Sequence, residues 1–127
     1  MVLKADPKSA QAAYNLGILV SKDRPAEAIS WCQKAAALRP DVPKYAYTLA
    51  FFQKQEGKTN DAIQTLEKLI EQAPPHAEAY ALLVQIYEEQ KNAAAALLVC
   101  RRAVSNEKLS EQERYRFQAR LQPLTPN

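Results

Sequence analysis

Two cysteines, one histidine and a few closely spaced carboxylates are the residues of this 127-residue chain with the means to do chemistry. Cys32 and Cys100 form no CxxC and stand at no metal-ligand spacing, so a zinc site or a redox pair lacks its second ligand. Stacked helices at ~8–10 Å would hold them far beyond the ~7 Å Cα limit for a disulfide. Each is expected as a buried small hydrophobe. His76 is the sole histidine and follows Pro74-Pro75; it is expected as a solvated turn residue with no acid–base partner. Glu88-Glu89 and the pair Glu111, Glu113 are neighbours in sequence only, because residues one or two apart on a helix do not face each other. No GxSxG, HExxH or Walker pattern occurs,. The expectation is a chain that is not an enzyme, with no cofactor and no metal.

Composition narrows the classes further. Hydrophobic residues make up 47% and the net charge is +3, too mild to imply nucleic acid by itself. Arg101-Arg102 with Arg114, Arg116 and Arg120 make a basic C-terminal region, but Glu107, Glu111 and Glu113 partly neutralise it. No apolar run approaches the ~18–20 residues of a membrane span. Met1–Pro7 lacks the apolar stretch of a secretory signal, which bears on this stretch alone. The cytoplasm is the default compartment, and an extracytoplasmic parent stays open. Two glycines, Gly17 and Gly57, leave no glycine-rich phosphate loop.

The elements that position these residues come from an internal period. Ala28, Ala62 and Ala96 are 34 apart, as are Cys32, Leu66 and Cys100, and Ala35, Leu69 and Ala103. Leu16, Leu49 and Leu83 correspond with steps of 33 and 34, so the first unit is one residue short between Val20 and Ala28. Pro40, Pro74 and Lys108 close the units. The spacing predicts paired helices: Ala10–Lys22 with Pro25–Leu38, Pro43–Glu56 with Asn60–Gln72, and Ala77–Gln90 with Ala93–Asn106. Pro25 suits a first helical turn, Gly57 suits the position just past a helix end, and Pro74-Pro75 separates two units. Ser110 and Glu113 form a capping-box pattern opening a last helix that runs to about Gln122.

This period resembles the tetratricopeptide repeat. Leu16, Gly17, Ala28, Cys32, Ala35 and Pro40 carry the resemblance in the first unit. Leu49, Ala50, Ala62, Leu66, Leu69 and Pro74 carry it in the second. Tyr80, Leu83, Tyr87, Ala96, Cys100 and Ala103 carry it in the third. Ala13 and Ala46 depart from the usual large first residue, Val84 from the small one, Gln53 from the aromatic and Lys108 from the proline. The resemblance implies an all-α fold, a right-handed α-solenoid of stacked antiparallel helix pairs. It implies repeats over residues 10–41, 42–76 and 77–109, and a capping helix with its tail over 110–127. Residues 1–9 read as the end of a preceding repeat or a linker, since Leu3–Pro7 resembles the close of one.

The resemblance also implies a protein or peptide partner held by the first helix of each unit. By register, the groove positions are Tyr14, Ile18 and Lys22, then Lys44, Tyr47, Phe51 and Lys54, then Gln85 and Glu88. Gln11, Ser21, Gln55, Glu78, Ala81 and Glu89 flank them. Aromatic residues not needed by a repeat core, on an exposed face, are anchors for a partner; packing against neighbouring helices is the alternative for Tyr47 and Phe51. Modules that grip chaperone tails use lysine, asparagine and arginine where this chain has Tyr14, Ile18, Thr48, Glu78 and Leu82, so that ligand is not expected. The alternative function is a non-catalytic assembly region of a larger enzyme or redox protein, self-associating through an open N-terminal face.

Overall fold

The computed structural model describes residues 9–72 and 75–121. Among these residues there are seven helices and no strand. They are α1 (Ala10–Val20), α2 (Pro25–Leu38), α3 (Pro43–Gln55), α4 (Thr59–Gln72), α5 (Ala77–Glu89), α6 (Ala93–Ser105) and α7 (Glu111–Leu121). The expected helices are all present, with ends shifted by one or two residues. The expected reading of Leu3–Pro7, the closing role of Pro74 and the stop at Gln122 lie outside the described residues.

The chain divides into two compact units, one through Pro74 with α1 to α4 and one from Pro75 with α5 to α7. In the first unit α1 packs on α2, α2 on α3, and α3 on α4. In the second α5 packs on α6 and α6 on α7.

Local chemistry explains each boundary. Pro25 and Pro43 sit in the first turns of α2 and α3, where a missing N–H is no loss. The Ser9 hydroxyl accepts from the Ala12 N–H at 3.1 Å, and the Asn92 side chain accepts from the Ala95 N–H at 3.1 Å. These are N-caps satisfying donors that the first turn leaves open. The expected capping box forms at α7: the Ser110 N–H donates to Glu113 at 2.9 Å and the Glu113 N–H to the Ser110 hydroxyl at 3.0 Å.

The residue missing from the first unit falls in its turn region. Helix α1 has 11 residues where α3 and α5 have 13. It stops early and passes through residues 21–24 into α2, whereas α3 and α5 close by a Schellman motif. In the first of these, Gly57 has φ +78°, its N–H reaches the Lys54 carbonyl at 3.0 Å, and the Lys58 N–H reaches the Gln53 carbonyl at 2.8 Å. In the second, Lys91 stands 34 residues on with φ +61°, and the same two bonds run to Glu88 and Tyr87 at 2.9 and 2.8 Å.

The core follows the period. Ala28, Ala35, Ala62 and Leu66 are fully buried, and Leu49 and Leu69 nearly so. Gly17 lets α1 and α2 approach closely: a Cβ there would lie 2.8 Å from the Cys32 Sγ and 3.2 Å from the Ala28 carbonyl oxygen. The second unit buries Tyr80, Leu82, Leu83, Val84, Ile86 and Phe117, and the Tyr80 and Phe117 rings meet edge to face at 6.0 Å.

Candidate functional site

On α1 and α3 the expected groove residues divide into a packed set and an open set. Tyr14 is half-buried. Its ring lies 5.0 Å from that of Tyr45, and its hydroxyl lies 3.3 Å from the Thr48 hydroxyl. Lys44 holds its ammonium 5.3 Å from the Tyr14 ring centre and 6.0 Å from that of Tyr45, within cation–π reach. The Tyr45 hydroxyl donates to the Gln11 side-chain carbonyl at 3.2 Å. Tyr14, Lys44 and Gln11 thus take part in the contacts that join α1 to α3. Tyr45 belongs to the core at 5% exposure, and sequence reading did not single it out. Both hydrogen-bonded pairs lie 34 residues apart, one more than the 33-residue step between equivalent positions of α1 and α3, so matching positions by register passes them by.

The open set is apolar and basic. Ile18 is 43% exposed and Phe51 39% exposed, and Phe51 rests against Phe52 with ring centres 6.1 Å apart. Lys22 is exposed, while Tyr47 and Lys54 are half-buried. Leu19, which sequence reading passed over, is 77% exposed beside Ile18.

In the second unit Gln85 and Glu88 are exposed on α5. Glu88 is ion-paired with Arg120, Glu78 pairs with Arg116 at 3.0 Å, and the Gln85 amide donates to Glu89 at 3.1 Å. Two of the C-terminal arginines therefore meet the α5 carboxylates within this unit. Leu82, at a chaperone-tail contact position, is buried at 4% exposure and cannot meet a ligand from there.

Cys32 and Cys100 are both free and buried. Burial pushes the Cys32 thiol up to about 11 and also raises that of Cys100, so neither is a ready thiolate. His76 corrects the expectation of a solvated turn. It is the half-buried N-cap residue of α5, and burial lowers its pKa against the raising effect of Glu78 and Glu113. The physical reason is that the turn brings His76 into the second unit's packing. Among the described residues no group of three or more His, Cys, Asp or Glu side chains is placed to hold a metal, and no helix is long and apolar enough to cross a membrane.

The comparisons with known proteins agree with this architecture. The tetratricopeptide repeat family model matches residues 19–74 and 53–121, and the chain belongs to that family. Over 70 residues, 55% of its length, it is 43% identical to the cytochrome c-type biogenesis protein CycH of Rhizobium meliloti (strain 1021). Over 90 residues, 70% of its length, it is 31% identical to the human protein O-mannosyl-transferase TMTC3. These stretches are 18% and 10% of the relatives' own lengths. Two crystal structures of MamA resemble the fold, with TM-scores of 0.71 and 0.72 at 24% and 25% identity. They cover 93% and 98% of this chain and 63% and 64% of theirs. The fold is that of a general protein–protein interaction scaffold, a type that is typically non-catalytic.

Proposed function

We propose that the chain is a non-catalytic binding module that holds an extended or helical segment of a partner polypeptide against α1 and α3. The observation that carries this is the exposed apolar pair Ile18 and Phe51 on helices already locked together by Tyr14, Tyr45 and Lys44. A rigid platform lowers the ordering cost of binding, and large apolar side chains supply the anchors. Tyr47 adds a further ring. Lys22, Lys44 and Lys54 make the rim cationic and favour a segment carrying carboxylates. On the second unit, taken by itself, Gln85 and Glu88 are polar contacts for a partner, Glu88 in its ion pair with Arg120. The 43% identical relative takes part in c-type cytochrome biogenesis by its name, so the client to try first is a haem-free c-type cytochrome polypeptide.

The test is titration of that polypeptide by fluorescence anisotropy against the wild type and the Tyr47→Ala, Phe51→Ala double variant. The expected result is loss of binding of about tenfold or more, as hot-spot truncations give, with circular dichroism and melting unchanged. Unchanged affinity with the fold intact sinks the proposal, and loss of the fold means both residues are core.

A second reading is favoured by Leu19, whose 77% exposure leaves a large apolar side chain beside Ile18. Here the module is an assembly region of a larger protein that self-associates through α1. Light scattering across a hundredfold dilution would show a dimer that Leu19→Glu dissolves; a strict monomer rules this reading out.

A further inference from the structure

One position in the period is handled in three ways. Ala13, Ala46 and Tyr80 are equivalent, at steps of 33 and 34. Ala13 is fully buried in a cluster with Tyr45 and the partly buried Trp31, which supply the bulk it lacks. Tyr80 fills its own place. It is 4% exposed, its ring meets Phe117 edge to face, and its hydroxyl accepts from the Asn106 amide at 3.1 Å.

Ala46 has no large side chain of its own and is half-buried. It opens onto a cavity of about 510 Å³ between α2, α3 and α4, within the ~300–1,000 Å³ of ligand pockets. The floor is apolar: Ala36, Leu49 and Leu69 line it, and the two leucines are buried. The rim is polar and open to solvent, with exposed Gln72 and Lys68. Gln72 stands 34 residues before Asn106, so the cavity keeps an amide at the register where Tyr80 finds its hydroxyl partner. Among the described residues no carboxylate lines the cavity, and Lys68 makes its charge cationic.

We infer that this cavity is a second binding site, which receives a tyrosine side chain of a partner polypeptide with an acidic residue beside it. The ring takes the place that Tyr80 fills in the third repeat, the Gln72 amide meets its hydroxyl, and Lys68 meets the neighbouring carboxylate. Tyr47 and Phe51 do not line the cavity, so this site and the α1–α3 face fail independently.

The test is a set of NMR titrations of the full chain with N-acetyl-tyrosyl-aspartyl amide, its leucyl-aspartyl and tyrosyl-lysyl counterparts, and p-cresol. Saturable shifts are expected at Ala36, Ala46 and Gln72 with the tyrosyl-aspartyl compound. Binding of the other two dipeptides is weaker by about three- to tenfold, the worth of one hydrogen bond or charge contact. Ala46→Tyr raises Tm by a few degrees and abolishes the shifts. Gln72→Leu keeps the fold and removes the preference for the tyrosyl-aspartyl compound over a phenylalanyl-aspartyl counterpart titrated alongside it, which holds the inference to account even where Ala46→Tyr fails to fold. The inference is overturned by absence of saturable shifts up to the solubility limit, or by equal binding of the leucyl compound. It is also overturned by p-cresol binding as tightly as the dipeptide, which makes the site one for free phenols, or by a folded Ala46→Tyr that still binds.

Discussion

Helices α1 and α5 stand at equivalent places in the period and bury their faces by opposite means. Helix α1 buries Ala10, Ala12, Ala13 and Gly17, none larger than alanine. Helix α5 buries Ala77, Ala79, Tyr80, Leu82, Leu83, Val84 and Ile86. Helix α1 gains contact by letting backbones approach; α5 fills the space between helices with side chains. Large apolar residues on α1 are thereby left at its surface, where Ile18 and Leu19 are exposed. The same repeat makes a tight seam with an open face in one place and a filled core in another, because the positions that swap small for large are adjacent in the register.

Removal of volume separates the two helices most strongly. Leu83 is fully buried, so Leu83→Ala is expected to cost about 2–5 kcal/mol in transfer and cavity terms. Its equivalent Leu16 is half-exposed, and Leu16→Ala is expected to cost about 1 kcal/mol. Urea unfolding of the two variants measures both. Similar losses would show that α1 relies on bulk as α5 does.

Addition of volume reverses the order. An exposed Gly→Ala change inside a helix ordinarily gains about 1 kcal/mol. At Gly17 the new Cβ would lie 2.8 Å from the Cys32 Sγ and 3.3 Å from the Trp31 Cβ, and overpacking costs about 1–3 kcal/mol. The expected net effect of Gly17→Ala is destabilisation. Cys32→Ala removes the nearest clash and returns part of the loss in a double-mutant cycle, while the backbone oxygen of Ala28 at 3.2 Å keeps the recovery incomplete. A stabilised Gly17→Ala protein would mean the seam is loose.

The helices were legible because their signal is periodic. Ala28, Ala62 and Ala96 at a fixed 34, with Pro25 and Gly57 at the ends, leave few other ways to bury the alanines. The Ser110–Glu113 cap was equally local. What stayed hidden depends on neighbours distant in sequence. Register alone makes Tyr14 a groove residue, yet its ring and hydroxyl serve the α1–α3 junction through Tyr45 and Thr48. The acidic α5 face was read without Arg116 and Arg120, which lie 38 and 32 residues away from their carboxylates. Lys91 gave no sign of its backbone, because a lysine carries none of the composition signal that Gly57 does.

That pair of turns sharpens the comparison at a smaller scale. Gly57 and Lys91 share one Schellman geometry, but a left-handed backbone is strained for lysine and free for glycine. Lys91→Gly is expected to gain up to about 1 kcal/mol, and Gly57→Ala to lose about as much. Thermal melting should show opposite shifts of Tm for the two substitutions. Equal responses would indicate that the second unit relaxes its turn by other means.

The smallest difference is a pH response confined to the second unit. Burial holds the His76 pKa below its ordinary 6.5 despite Glu78 and Glu113, which favour the charged ring. Below about 6.5 the unfolded chain therefore binds a proton that the folded chain resists, so the unfolded state holds more protons and stability falls as pH falls. Well above that value the ring is neutral in both states and contributes no slope. The loss begins near pH 6.5, continues to the lowered folded value and then levels, until carboxylates titrate. His76→Gln should flatten the stability profile as pH falls through about 6.5,, measured by urea unfolding at half-unit steps. Arg116→Gln, which leaves Glu78 without its partner, should raise the folded His76 pKa and shrink the same slope, because an unpaired carboxylate attracts the ring's proton more strongly. A slope that His76→Gln leaves unchanged would assign the acid sensitivity to carboxylates instead, and the second unit would then have no histidine response to distinguish it from the first.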